Sequence, residues 1–405
     1  MNNKISLLFY FFVFFVLFLF SLPSYKNEKR KAIIVCVLSV VLLTLVGGLR
    51  GLDVGADTPQ YVSVYSDFAT SSFPFSNIRF EKGFTRFRFL CYKISSNPSL
   101  LLFRSALFRN LCTAIFVYKS CKNVPQSILL YCLCAYLGNL SGRRQGRSVA
   151  LLLLFIPALY KKKYWLYLLG VLLSGLFHKV GLIGLLLVFA PRIKPSKKFN
   201  FIRILLSVML TFAGKPLLIF FISKTPFYYY IDTEFFNAAP LGGVYNRTLP
   251  FLGFFLLSPA LEKKSVTVRY VMDSDSLLLL NYYDNVHSSH YVPIDREGNA
   301  GKIYLCLPNA SFSEIAENKQ KVRNLSRLLS ICFSIVSINF SIFSRIYSVF
   351  LLPFVLLISD YLMEGDLDNK KQKEFLFVLC AALLLAVQGI FRPNWIGVFN
   401  YHFVF

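Results

Sequence analysis

The sequence predicts an all-α, polytopic integral membrane protein with about 12 transmembrane helices. Hydrophobic residues make up 56% of the 405 residues, with 43 phenylalanines among them, and only 16% of the residues are charged. Long apolar runs alternate with clusters of lysine and arginine, the pattern of membrane-crossing helices joined by loops. The length would allow two or three soluble domains, but this composition excludes them. We therefore expect residues 1–405 to form a single polytopic membrane domain.

About twelve apolar runs are the predicted spans, because a bilayer core needs roughly 20 apolar residues in a helix and neighbours can bury shorter segments. They are residues 5–22, 32–49, 98–118, 125–141, 148–160, 164–178, 180–190, 200–222, 248–261, 328–344, 346–362 and 374–391. The first run is long for the apolar region of a signal peptide, and no small-residue cleavage site follows it. We expect it to remain as a membrane helix.

Lysine-rich loops set the predicted orientation, since positive residues in short loops stay on the cytoplasmic side during insertion. Such clusters occur at residues 26–31, 119–122, 161–163, 192–198 and 370–373. All of them fall on one side of a twelve-span arrangement, so both termini are predicted to lie outside.

Two long loops follow from this orientation. Residues 50–97 form the predicted outer loop, which is rich in Tyr, Phe and Gly and is expected to contain a short interfacial helix near Glu81–Ser95. Residues 263–326 are polar, carry mixed charge and show no helical period. They are predicted to form a cytoplasmic loop.

The cations differ in kind between the two predicted faces. Most of those in the short cytoplasmic loops are lysines, whereas most of those on the outer face are arginines. Lysine suffices as a topology anchor, but the planar guanidinium of arginine grips phosphate oxygens with two parallel hydrogen bonds and keeps its charge. This distribution favours a phosphorylated, membrane-bound substrate reached from the outer leaflet. The alternative is that these arginines bind lipid headgroups or pair with outer carboxylates.

Five outer arginines are candidate phosphate-binding residues. They are Arg50, Arg143, Arg144, Arg147 and Arg345. The first lies in a glycine-rich segment, GGLRGLDVGADTPQY, whose backbone could approach a ligand closely. The next three open the span 148–160 with no acid nearby in the sequence, and the helix dipole adds positive charge there. The last lies in an outer turn between two spans.

Three outer residues are candidates for acid–base catalysis: Asp57, Glu81 and His178. Asp57 could also orient Arg50, or it could simply cap a helix, because Asp-Thr-Pro is typical of a helix start. His178 lies at the outer end of the sixth predicted span, where an ionisable residue is costly and marks function. It could accept a proton from a hydroxyl or donate one to a phosphate; a purely structural histidine is the alternative.

No motif indicates a cofactor, a metal or a nucleic acid, despite the net charge of +24. The sequence contains neither a P-loop nor a dinucleotide-binding glycine fingerprint. Two Asp-x-Asp strings, at residues 273–275 and 366–368, fall in predicted cytoplasmic loops and are interpreted as solvated acids.

Together, these segments resemble the EpsG family of bacterial membrane proteins, which is related to the Wzy-type polymerases of O-antigen and capsule. The resemblance is carried by five segments in order: GGLRGLDVGADTPQY, FEKGF, RRQG, GLFHKVGLIGLLL and FSRIY. It covers most of the chain apart from residues 263–326. That loop is unusually long for the family, and Glu81-Lys82-Gly83 stands where a Glu-Pro-Gly-like motif is familiar.

The resemblance implies a GT-C-like polymerase architecture in the bacterial inner membrane. It further implies a metal-independent glycosyltransferase that joins oligosaccharide repeat units carried on undecaprenyl diphosphate at the outer leaflet, with a chain-length regulator and a flippase as further partners. The five arginines would then bind the diphosphate. Two other functional classes share these features: a transporter or flippase of the same lipid-linked sugars, and a non-catalytic organiser of polysaccharide assembly.

Overall fold

The computed structural model describes residues 3–21, 28–66, 80–192, 197–213, 310–337, 343–358, 367–391 and 396–404, with short pieces at 68, 216, 219–220, 223–224, 228, 289–291, 304–306 and 393–394. These residues are almost entirely helical, as the sequence predicts. Within the predicted cytoplasmic loop, two three-residue strands, β1 (Ser289–Tyr291) and β2 (Tyr304–Cys306), pair in antiparallel orientation.

The helices follow the apolar runs in order. They are α1 (Asn3–Ser21), α2 (Glu28–Gly48), α3 (Thr58–Ser66), α4 (Lys82–Tyr92), α5 (Pro98–Ser120), α6 (Val124–Tyr131), α7 (Leu137–Ser141), α8 (Arg143–Tyr160), α9 (Tyr164–Phe177), α10 (Lys197–Ala213), α11 (Ala310–Val336), α12 (Phe343–Leu356) and α13 (Leu367–Phe391). A π-helical turn, Cys132–Tyr136, joins α6 to α7, and a 3₁₀ helix, Lys179–Arg192, follows α9.

The apolar runs predicted as spans are largely helical where the structure describes them, and one run lies outside the described residues. Residues 248–261 lie outside the described residues, and each of the other predicted spans overlaps a helical segment. Among the described helices, Lys29–Gly48 and Pro98–Ser120 are long and apolar enough on their own to cross a membrane. Shorter apolar helices include Tyr164–Phe177 and Phe343–Leu356. The outer loop predicted at 50–97 contains α3 and α4.

Residues 310–326 differ from the sequence-based expectation of a polar loop, because they form the first half of α11. Their polar side chains contact the turn between α8 and α9. Asn318 Nδ2 donates to the carbonyl oxygen of Tyr160 at 3.0 Å, and Glu314 forms an ion pair with Lys162. Protein partners of this kind stabilise a helix whose hydrophobic periodicity alone is weak.

Helices α2 and α5 pack against each other at very short range. A Cβ atom on Gly48 would lie only 2.7 Å from the Cα atom of Phe103, so the two main chains approach as closely as glycine allows. A polar contact crosses the same interface, where Asn110 Nδ2 donates to Thr44 Oγ1 at 3.2 Å. Small residues of this kind are typical of helix interfaces within membranes.

The glycine-rich segment after α2 pairs with the C-terminal part of the chain. The N–H of Gly51 donates to the carbonyl of His402 at 2.8 Å, and the N–H of Val404 donates to the carbonyl of Leu49 at 2.9 Å. The N–H of Gly55 donates to Gly397 at 2.6 Å, and both of these glycines have positive φ, 101° and 61°. Glycine is therefore required here for the turn geometry.

Helix α1 holds the same C-terminal segment from its other side. The Ser6 hydroxyl accepts a hydrogen bond from the Tyr401 N–H at 3.1 Å, and the Tyr10 hydroxyl donates to the carbonyl of Val398 at 2.9 Å. Residues 396–404 are thus fixed between α1 and the segment after α2.

The close approach at Gly48 gives a direct test of this packing. We expect Gly48→Ala to lower the stability of the protein by about 1–3 kcal/mol, because the new methyl group forces the main chains of α2 and α5 apart. Gly138→Ala is the matched control, since a Cβ atom there has open space within 4 Å, and alanine favours a helix. Thermal unfolding in detergent measures both. Equal unfolding temperatures for the two variants would contradict the packing described.

Candidate functional site

Glu81 and Arg144 form an ion pair at the centre of the candidate site. Arg144 Nη1 donates to Glu81 Oε2 at 2.8 Å. The Arg144 side chain is 22% exposed and the Glu81 side chain 13%, so the pair is shielded from bulk water and still reachable by a ligand. Glu81 immediately precedes α4, and Arg144 lies in the first turn of α8. The charge-assisted hydrogen bond therefore joins two elements that are distant in sequence.

Two aromatic residues fix the orientation of the Arg144 guanidinium. Its Nε donates to the Tyr61 hydroxyl on α3 at 3.2 Å, and its central carbon lies 4.6 Å from the centre of the Phe80 ring. Such cation–π contacts strengthen when water is excluded. Among the described residues, the hydrogen bonds of this guanidinium involve its Nε and Nη1.

A glycine brings α4 against the end of α9. A Cβ atom on Gly83 would lie 2.8 Å from the carbonyl oxygen of Leu176, so only glycine permits this approach. As a result, Glu81 lies beside the junction of α9 with the 3₁₀ helix, and its Oε1 accepts a hydrogen bond from the N–H of Lys179 at 3.3 Å.

Two serines fix α9 against α8 just below that junction. Ser148 Oγ donates to the carbonyl of Ser174 at 2.9 Å, and Ser174 Oγ donates to the carbonyl of Ser148 at 2.8 Å. Gly181 packs directly over these hydroxyl groups. The position of His178 is therefore set by main-chain contacts on both sides.

The hydrogen bonding of His178 determines which ring nitrogen carries its proton. Nδ1 accepts a hydrogen bond from the N–H of Val180 at 3.1 Å, so the neutral imidazole carries its proton on Nε2. Burial lowers the pKa of His178 to about 4; Glu81 opposes this shift, whereas the positive charges of Arg144, Arg345 and Lys179 add to it. At neutral pH, His178 is an uncharged hydrogen-bond donor.

The Glu81 carboxyl is held in its ionised form. Burial alone would raise its pKa, but the backbone N–H groups of Glu81 and Lys179 and the Arg144 guanidinium together outweigh that effect and lower the pKa below its ordinary value. A carboxylate with a lowered pKa is a good partner for Arg144 and a weak proton acceptor.

Gln145 links this cluster to Arg345. Its side-chain amide donates to the carbonyl of Arg345 at 2.8 Å and also contacts the Ser348 hydroxyl, both on α12. The RRQG segment therefore directs Arg144 towards α3 and α4 and the next residue towards α12. The structure brings Glu81, His178 and Arg144 together and places Arg345 next to them.

The two other arginines of that segment differ from Arg144. The side chain of Arg143 lies outside the described residues. Arg147 is only 1% exposed, and its guanidinium lies 4.4 Å and 5.0 Å from the ring centres of Phe84 and Phe87 and donates to Ser105. These contacts anchor α8 to α4 and α5, and they leave Arg147 inaccessible to a ligand in this arrangement.

Arg50 lies apart from the cluster. Its surroundings differ from those expected of a residue that faces a phosphate. It is 2% exposed, and its guanidinium donates to three backbone carbonyls: those of Gly47, Val54 (3.1 Å) and Leu140 (2.7 Å). Arg50 therefore ties the exit of α2 to the end of α7. The glycines around it bring protein main chain close together, where the sequence suggested a ligand.

Asp57 does not orient Arg50, because its side chain is exposed at the start of α3 while Arg50 is buried. Its carbonyl accepts a hydrogen bond from the N–H of Tyr61, one helical turn later. Within the described part of the chain, its carboxylate makes no hydrogen bond or ion pair. Asp57 therefore lies one turn before Tyr61, a residue that contacts Arg144.

Tyr61, Phe80 and Gln145 contribute to the site without having been assigned a role from sequence. All three lie inside segments whose polar residues mark them in the sequence. The residues that they contact could not be predicted from the sequence. Asp57 directly precedes α3, and Tyr61 lies in the first turn of that helix.

Comparisons with known proteins agree with the resemblance seen in the sequence. The chain is 29% identical over 242 residues to the amylovoran biosynthesis protein AmsC of Erwinia amylovora, a match that covers 55% of this chain. The match spans 63% of that relative's length. No solved structure matches the chain. The sequence pattern that defines the EpsG family matches residues 33–403, and the chain belongs to that family.

Proposed function

We propose that this protein is a polysaccharide polymerase, a glycosyltransferase that joins oligosaccharide repeat units carried on undecaprenyl diphosphate. The Arg144–Glu81 pair beside His178 is the observation that carries the proposal, because it combines an accessible cation with a neutral donor. Membership of the EpsG family and the amylovoran biosynthesis relative support a role in polysaccharide assembly. The protein would act as a multi-pass protein of the bacterial inner membrane, with the site at the outer leaflet.

Arg144 binds the diphosphate in this proposal. Tyr61 accepts from its Nε and Glu81 accepts from its Nη1, so Nη2 can donate to a phosphate oxygen with little loss of conformational freedom. Arg345 and the uncapped N-terminus of α8 add positive potential to the same place. This potential stabilises the negative charge that develops on the leaving diphosphate.

His178 and Asp57 take the proton-handling roles. His178 donates its Nε2 proton in a hydrogen bond to the diphosphate, because Nδ1 already accepts from Val180. The acceptor sugar hydroxyl attacks the anomeric carbon of the donor, its proton passes to the Asp57 carboxylate, and the bond from the anomeric carbon to the diphosphate oxygen breaks. Undecaprenyl diphosphate leaves, and Glu81 acts as the positioning residue for Arg144.

Chain lengthening by the purified protein in detergent tests the proposed activity. A polymerase extends lipid-linked repeat units without a membrane, so we expect a ladder of longer products on gel electrophoresis. A flippase needs two leaflets and gives no products in detergent. A non-catalytic organiser gives no lengthened products when the purified protein is assayed alone. Polymer then forms only when a separate polymerase is added.

Truncating the central arginine should remove catalysis and leave the fold intact. We expect Arg144→Ala to lower the rate of lengthening by about 10²–10³-fold, the usual effect of losing one donor to a developing negative charge. Arg144→Lys keeps the charge and loses the planar fork, so an intermediate rate is expected. Arg86→Ala, at an exposed position on α4, is the control and should keep the wild-type rate. A fully active Arg144→Ala protein would refute the site.

The neutral state of His178 has a measurable consequence for stability. The folded protein keeps His178 uncharged down to about pH 4, whereas the unfolded chain takes up that proton near pH 6.5. The free energy of unfolding should therefore fall as the pH drops from about 6.5 to about 4, on the order of 1–3 kcal/mol. Glu81, whose pKa is lowered in the folded protein, adds its own loss of stability from the ordinary carboxyl pKa of about 4–5 downward, so the upper part of this window reports His178 alone of the pair.

Substituting His178 tests whether this residue causes the dependence of stability on pH. His178→Gln should reduce the dependence of the thermal unfolding midpoint on pH, most clearly between about 6.5 and 5, because it removes the imidazole that protonates preferentially in the unfolded chain. His402→Gln, which removes an exposed histidine paired with Asp53, should retain the slope. An unchanged slope in His178→Gln would mean that His178 is not held neutral.

A further inference from the structure

A groove of about 390 Å³ lies between the 3₁₀ helix, α10 and α11. We call it the α10–α11 groove. Its walls include Leu186 and Phe189 of the 3₁₀ helix, Leu206 of α10, and Leu328 and Phe333 of α11. This volume lies within the range of about 300–1,000 Å³ that is typical of ligand sites. The proposed catalytic cluster does not use it.

The chemistry of the walls favours an apolar ligand. Eight of the lining residues are aliphatic or aromatic, and the other three are Arg203, Ser207 and Cys332. The two small polar residues already have partners. Ser207 Oγ donates to the carbonyl of Arg203 at 2.8 Å, and the Cys332 thiol contacts the same carbonyl at 3.8 Å. A polar ligand would have to leave water without compensating hydrogen bonds from these groups.

An aromatic stack connects the groove to the candidate site. The ring of Phe333, in the groove wall, stacks on Phe343 with ring centres 6.0 Å apart and on Phe350 at 5.8 Å. Phe343 opens α12 two residues before Arg345, whose carbonyl is bound by Gln145, the neighbour of Arg144. One end of the groove is therefore in contact with the element that carries Arg345.

We propose that the α10–α11 groove binds the isoprenoid chain of the lipid-linked donor whose diphosphate binds at Arg144, an inference that rests on the proposed function. The α11 wall runs from Leu325 to Val336, about 16 Å at the rise of an α-helix. A chain that leaves the diphosphate near Arg345 can follow this apolar wall away from the cationic cluster. A phospholipid acyl chain is equally apolar and would also fit the groove, but it carries no diphosphate to anchor it at the end near Arg345.

Filling the groove from one wall tests the proposal. Leu206→Trp adds bulk at a lining position, and Leu205→Trp adds the same bulk at the adjacent position on α10, which does not line the groove. Both leucines are exposed, at 57% and 47%, so neither substitution disturbs a packed core. Each variant is assayed with a donor that carries the full-length isoprenoid and with a donor that carries a chain of two isoprene units.

We expect Leu206→Trp to raise KM for the full-length donor by about tenfold or more, the usual effect of obstructing an apolar subsite, and to leave KM for the short donor unchanged. Leu205→Trp should behave as wild type with both donors. An equal loss with both donors, or no loss with either, would overturn the proposal.

A binding measurement separates this inference from the proposed function. If the wild-type protein lengthens neither donor, the polymerase proposal fails, and the groove is then tested with a photoreactive full-length isoprenoid diphosphate. Crosslinks to peptides from α10 and α11 that Leu206→Trp removes and excess phosphatidylglycerol does not compete away would support an isoprenoid site. Crosslinks that excess phosphatidylglycerol competes away, or crosslinks only to other parts of the protein, would overturn the isoprenoid site.

Discussion

The candidate site depends on main chains that approach one another at glycine residues. At Gly83 the start of α4 meets the carbonyl of Leu176, and this contact sets Glu81 beside His178. At Gly181 the chain packs over the hydroxyls that join α8 to α9. A side chain at either position would force the segments apart, because its Cβ atom would lie less than 3 Å from atoms of the neighbouring segment. The ion pair of Glu81 with Arg144 is thus a result of backbone packing as much as of charge.

Arginines that look alike in the sequence have different physical roles in the fold. Arg50 is satisfied by backbone carbonyls and Arg147 lies against aromatic rings, so each stabilises contacts between helices. Arg144 is partly exposed and has its orientation fixed by a carboxylate, a hydroxyl and a ring. Sequence position places all three on the same predicted face, and only burial and partners distinguish a structural guanidinium from one that can bind a ligand.

Much of the helical framework is predictable, because runs of apolar residues between charge clusters define helices without reference to tertiary contacts. The segments that contain Glu81, Arg144 and His178 were also identifiable from their polar residues. The pairing of Glu81 with Arg144 could not be predicted, because the two residues are 63 positions apart and no local rule connects them. The first half of α11 was missed for a related reason: its stability comes from contacts such as that of Asn318 with Tyr160, which leave no period in the sequence.

The pairing of residues 49–55 with residues 397–404 has a consequence for the time course of folding. A ribosome adds about 5–20 residues per second, and domains generally fold as they emerge. The segment after α2 must therefore wait roughly 20–70 s for its partner, with the N–H groups of Gly51 and Gly55 unpaired in the meantime. A nascent chain that stops before residue 396 lacks the carbonyls of Gly397 and His402, which accept these hydrogen bonds in the complete fold.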